Sequence, residues 1–147
     1  MGQQQLLLLV LGIVIVGLAV VVGIQAFSEN QKKANADALV NDAIRIASDA
    51  QAWKLKPAAF GGGSAVAGWT GMTLNQLGYE VGDNDSTPAT AAGTEYENLN
   101  GIFAVTPTAT DLTILATSYE TDGTTVLNTV SVTVTGTESD QIATVIN

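Results

Sequence analysis

Hydrophobic and polar positions divide this chain into three stretches with different rhythms. From Leu6 to Ile24 there is no alternation: 19 consecutive residues are Leu, Val, Ile, Ala or Gly, without a charge or a hydrogen-bonding side chain. A run of this length and composition meets the minimum for a helix that crosses a bilayer. From Ala26 to Lys56 the apolar residues recur at helical spacing. Ala36, Leu39, Ala43, Ile46, Ala50 and Trp53 fall within an arc of roughly 100°, with Val40 and Ala47 widening one edge. Asn30, Asp37, Asn41, Arg45 and Ser48 lie opposite. Beyond Pro57 the rhythm shortens to two, the period of a strand with one buried face.

No proline occurs between Gln3 and Lys56, and the last glycine before Pro57 is Gly23. The stretch is rich in Ala, Gln, Lys and Leu, all good helix formers. One helix is therefore predicted over residues 3–56, about 54 residues and about 80 Å long at 1.5 Å per residue. Its first half is apolar all round, and its second half is amphipathic. Pro57 ends it, and Gly61-Gly62-Gly63 follows as loop. The chain thus divides into an apolar helix (1–25), an amphipathic continuation (26–56) and a β-rich C-terminal domain (57–147).

Within that domain, Met72 to Tyr79 reads as a short helical turn, with Thr73 as a cap and Gly78 as its stop. Residues 80–101 are polar and turn-rich, and an excursion over the surface is expected there. Strands are predicted at 102–106, ending at Pro107, at 112–119 and at 126–135. A last short one is predicted around Ile142, Val145 and Ile146. Asp122-Gly123 marks a hairpin turn. Leu112, Ile114 and Ala116 share one side of their strand, and Val130, Val132 and Val134 share one side of theirs. Those sides are expected to cover the amphipathic half of the helix over Ile46 and Trp53. The fold class is therefore α+β: one long helix packed by its second half against a small antiparallel sheet, each element hiding the apolar face of the other.

Charge sharpens the division. All five basic residues (Lys32, Lys33, Arg45, Lys54, Lys56) precede Pro57 along with four of the fourteen acids, so that part carries +1 and the remainder carries −10. A field of that sign repels polyanions, and no nucleic-acid binding is expected of the single chain. The chain has neither cysteine nor histidine. Disulfides, thiol chemistry, the commonest general base and the commonest zinc ligand are all absent. No enzyme and no cofactor is expected.

The N-terminal run is not expected to be a cleaved secretory signal. Met1-Gly2-Gln3-Gln4-Gln5 provides no basic n-region, and no small-residue cleavage site precedes the domain. Lys32 and Lys33 follow the span with nothing basic before it, but Glu29 and Asp37 stand close by, so membrane orientation stays open. Gly12, Gly17 and Gly23 admit two readings. Glycine is common in membrane helices. Beside so many β-branched residues it also lowers intrinsic helicity, which would let the segment stretch or melt inside an assembly.

A short polar N-terminus, an apolar run, a continuous amphipathic extension and a small C-terminal antiparallel sheet resemble the type IV pilin superfamily. That superfamily includes bacterial pilins, the pseudopilins of secretion systems, and archaeal pilins and flagellins. Bacterial members carry glutamate at the fifth mature position. Here Gln5 stands there if Met1 is the mature N-terminus, and Leu7 if Gly2 is the cleavage glycine. The absence of a helix-kinking proline in the apolar run resembles the archaeal members. The resemblance implies an extracellular filament on the cell surface, lodged in the cell membrane before assembly. Its partners would be identical subunits in a helical homopolymer, with pilus assembly machinery and a prepilin peptidase. The filament core would be formed by Gln5, Leu6, Leu7, Leu8, Leu9, Val10, Leu11, Gly12, Ile13 and Val14. It continues through Ile15, Val16, Gly17, Leu18, Ala19, Val20, Val21, Val22, Gly23 and Ile24. The alternatives are a minor pilin or pseudopilin that binds a partner at a secretion or surface machine, and a solitary membrane-anchored surface domain.

Several smaller candidates remain. Glu80, Asp83, Asn84 and Asp85 gather oxygen-bearing side chains of the kind calcium favours, without the spacing of an EF-hand. Asn84-Asp85-Ser86 meets the N-glycosylation triplet, and the threonines near 87–94 and 106–113 offer sites for O-linked sugars. Trp69, Tyr79, Tyr96 and Tyr119 suit either a sugar-binding surface or core packing. Gly61-Gly62-Gly63-Ser64 lacks the lysine of a phosphate loop. Glu95 and Glu97 form an acid pair of the kind glycosidases use, without a pocket to place them.

Overall fold

The computed structural model describes residues 2–81, 93–120 and 123–146. Helix α1 runs without interruption from Gly2 to Leu55. It stops where Pro57 brings no N–H. Lys56 N–H closes the last turn on the Ala52 and Trp53 carbonyls at 3.1 and 3.2 Å. The chain forms two units, one ending at Ala34 and the other spanning Asn35–Asn147. Every described residue from Gly2 to Ala34 is exposed.

In the second unit the rest of α1 lies against a five-stranded antiparallel sheet of order β1-β2-β3-β4-β5. The strands are Glu95–Asn98, Gly101–Pro107, Leu112–Tyr119, Val126–Val134 and Ile142–Ile146. The topology is a simple meander, so each strand pairs with its sequence neighbours. Strict alternation sets which face is buried. Leu112, Ile114 and Ala116 of β3 and Val130, Val132 and Val134 of β4 are buried in register, Ile114 opposite Val132. They meet Leu39, Ala43, Ile46, Ala47, Ala50 and Trp53 of α1, joined by Phe103 and Val105 of β2. Ala36 is buried one turn earlier on the same helix face.

The expected surface excursion over 80–101 contains a strand, β1. Its sequence Glu-Tyr-Glu-Asn is polar at three of four positions, and it is a strand through backbone pairing with β2, Tyr96 opposite Phe103. The strand expected at 102–106 also extends at both ends. Pro107 remains inside β2 as the register partner of Leu112. The stretch between helix and sheet covers the remaining opening of the core with Trp69, Met72 and Leu74. Leu74–Leu77 forms a single 3-10 turn between Thr73 and Gly78, where glycine supplies φ 88°. Gly68 is a position of close approach. It has φ +60°, and a Cβ there would stand 1.9 Å from the Ala109 carbonyl oxygen.

Candidate functional site

The largest feature that the fold leaves without a covering is the front of α1. Leu6 is 67% exposed, Ile13 64% and Val22 62%. Gln5 and every residue from Leu6 through Ile24 are exposed, on all sides of the helix. Globular packing requires one apolar stripe on a helix, not a whole circumference. The helix is long and apolar enough to cross a membrane. A Cβ built on Gly12, Gly17 or Gly23 meets nothing within 4 Å. The three glycines therefore leave flat spots on an open surface, where a neighbouring helix can come close.

The packing residues of the second half of α1 lie together. Ala36, Leu39, Ala43, Ile46, Ala50 and Trp53 are buried, as are Ile114, Val130, Val132 and Val134. Polar side chains lock this contact at three levels. At the start of the unit, Asn98 and Asn100 donate to the Asp42 carboxylate at 2.9 and 2.7 Å, and Asn128 donates to Asn35 Oδ1 at 3.0 Å. Asn35 in turn donates to the Asn100 carbonyl at 3.2 Å. Midway, the Tyr79 hydroxyl donates to Asp49 at 2.6 Å. Burial first, and then the bond to the Asp49 carboxylate, push the Tyr79 phenol well above its ordinary pKa. At the far end, Gln51 donates to the Gly136 and Glu138 carbonyls, both at 2.9 Å. None of these partners could be paired from sequence, because they lie 30 to 93 residues apart.

Two surface features close the second unit. After α1, the chain turns through a 3-10 segment at Ala58–Phe60, with Leu55 and Phe60 pointing outward at 66% and 73% exposure. The turn is closed by hydrogen bonds. Trp53 Nε1 donates to the Gly61 carbonyl at 3.1 Å, Lys54 Nζ donates to the Gly63 and Val66 carbonyls, and Gly63 N–H donates to the Trp53 carbonyl at 2.9 Å. At the other end of the sheet, a groove of about 220 Å³ runs between the β1–β2 turn and Tyr119, with Glu97, Leu99 and Ile102 on its walls.

Of the remaining candidates, Glu80 is exposed, while Asp83, Asn84 and Asp85 lie outside the described residues. Among the described residues no three His, Cys, Asp or Glu side chains gather as metal ligands. Of the four aromatic candidates, Tyr119 is half-buried and lines the groove, and the other three pack in or against the core. Trp69 is buried, Tyr79 and Tyr96 pack edge to face at 5.0 Å, and Tyr96 lies 6.0 Å from Phe103. Glu95 and Glu97 stand on β1, Glu97 at the groove.

The α+β arrangement, an apolar N-terminal helix continuing into a half that packs on a small antiparallel sheet, is consistent with a pilin-like fold in general. No protein-family model, curated protein or solved structure matches the chain.

Proposed function

We propose that this chain is a structural subunit of an extracellular, type IV pilus-like filament. The helices from Gln5 to Ile24 bundle at the fibre centre, and the β-rich units form the sheath. One observation carries the reading: a helix whose apolar side chains are exposed around its whole circumference continues without a break into a half that is packed into a folded unit. Exposed apolar surface of that extent is costly in water, at about 25 cal/mol per Å². Lipid satisfies it before assembly and neighbouring helices satisfy it afterwards, so transfer from bilayer to fibre is nearly balanced and close packing decides it. A tether that merely held a domain at a membrane would work as well through a flexible linker. Here an unbroken helix, and not a linker, joins each sheath unit to its core segment. The pilus machinery and the peptidase that serve such subunits are the partners this reading supplies.

Shearing surface fibres from producing cells and weighing their contents tests it. Uniform thin fibres whose mass is mainly this chain are the expected result. Cells that hold the chain only as a monomer in the membrane would leave the reading without support.

A further inference from the structure

The filament reading says that helices bundle, but not how one sheath unit meets the next. The second unit carries an exposed aromatic plug at one end and a groove at the other. Phe60 and Leu55 project from the turn after α1, with Lys56 exposed beside them. The hydrogen bonds of that turn, two of them made by the buried Trp53, fix the plug in place. A preformed, exposed aromatic on a hydrogen-bonded turn loses little freedom on binding, which is the property of an interface anchor. The groove is of mixed character, with Leu99, Ile102 and Tyr119 beside Glu97, Asn98 and Asn100. At about 220 Å³ it falls below the range of ligand pockets, about 300–1,000 Å³, and is on the scale of a single large side chain. Leu99, at its rim, is fully exposed.

The two features lie at different levels of the unit. The groove lies at the level of Asp42, which holds Asn98 and Asn100, and the plug follows Trp53. Eleven residues of helix separate those levels, about 16 Å at the usual rise. The sheet repeats this separation. Ile102 is at the groove end of β2, and past its other end the Thr108 carbonyl accepts from Trp69 N–H at 2.9 Å. No unit can therefore fill its own groove.

We propose that the Phe60 turn of one copy seats in the Leu99–Tyr119 groove of a second copy, joining sheath units head to tail. The occupant is argued from charge as well as shape. From Pro57 onward the chain has ten acids and no base, so any approach of two such units meets repulsion. Lys56 at the plug and Glu97 at the groove carry opposite signs, so this pairing sets a cation against that acidic field. A contact between two different patches is heterologous and propagates, whereas a self-complementary patch stops at a dimer. The proposal rests on the filament reading and names the contact within it.

The natural absence of cysteine makes the test clean. Ala59→Cys and Leu99→Cys are introduced together in the full chain, leaving Phe60 in place. Assembled fibres are treated with a short bis-maleimide and run on a denaturing gel. The expected result is a ladder of covalent multimers from the double variant and none from either single variant. Phe60→Ser, at an exposed position, is expected to raise the critical concentration for assembly about thirtyfold, the loss of one anchor. Fibres that give no ladder, or a Phe60→Ser chain that assembles like the parent, overturn the contact and leave the filament reading standing. A parent chain that forms no fibres at all overturns both.

Discussion

Ser118 lies on the core face of β3, 3% exposed, and its hydroxyl is the buried side-chain oxygen without a hydrogen-bond partner among the described residues. A buried unsatisfied hydroxyl costs about 1–3 kcal/mol. Ser118→Ala removes that cost and leaves the methylene packing intact. It is expected to stabilise the chain by about 1 kcal/mol in denaturant unfolding in detergent. Tyr79 gives a pH-dependent counterpart. Its pKa is raised in the folded state, so the neutral phenol is favoured by folding. That stability is fully present below the unfolded tyrosine pKa of about 10 and is lost as pH rises beyond it. Tyr79→Phe should therefore flatten the alkaline side of a stability-against-pH profile while lowering stability at neutral pH through the lost bond to Asp49. Gly68 tests backbone close approach. With φ +60° and the Ala109 carbonyl in the way, Gly68→Ala is expected to cost at least about 1–3 kcal/mol, read in the same unfolding measurement.

At the scale of elements, the second half of α1 and the inner sides of β3 and β4 were legible because both carry a sustained period. Helical spacing picked out the buried residues Leu39, Ile46 and Trp53, and alternation picked out Ile114 and Val132. Ile46→Ala removes a fully enclosed side chain between these elements and should destabilise by about 2–5 kcal/mol. The same logic explains what was not legible. β1 offers Tyr96 as its one inward apolar residue, so no period can show. It is placed by pairing with β2, and backbone hydrogen bonds leave no mark on side-chain chemistry. The asparagine and aspartate ties between α1 and the sheet ends share this trait. Asn35, Asp42, Asn98, Asn100 and Asn128 read individually as loop or wet-face residues, and the fold alone brings them together. The Phe60 turn and its distant groove were invisible for the same reason.

For the molecule as a whole, the chain forms two units, Met1–Ala34 and Asn35–Asn147. The front of α1 presents exposed apolar side chains all round, and the unit from Asn35 onward encloses a core. A charge placed in the front should therefore damage assembly without unfolding the rest. Gly17→Glu sets a carboxylate on an open apolar surface, where nothing on the same chain lies near a Cβ. Fibres are expected to disappear, while the near-ultraviolet signal of the buried Trp53 and Trp69 in detergent stays unchanged. The decisive measurement is a helical reconstruction of the native fibres by electron cryomicroscopy. Density for the Leu6–Ile24 helices, packed side by side along the fibre axis inside a sheath of β-rich units, is the expected image. Fibres whose axis holds any other part of the chain, with this segment turned outward, would contradict it.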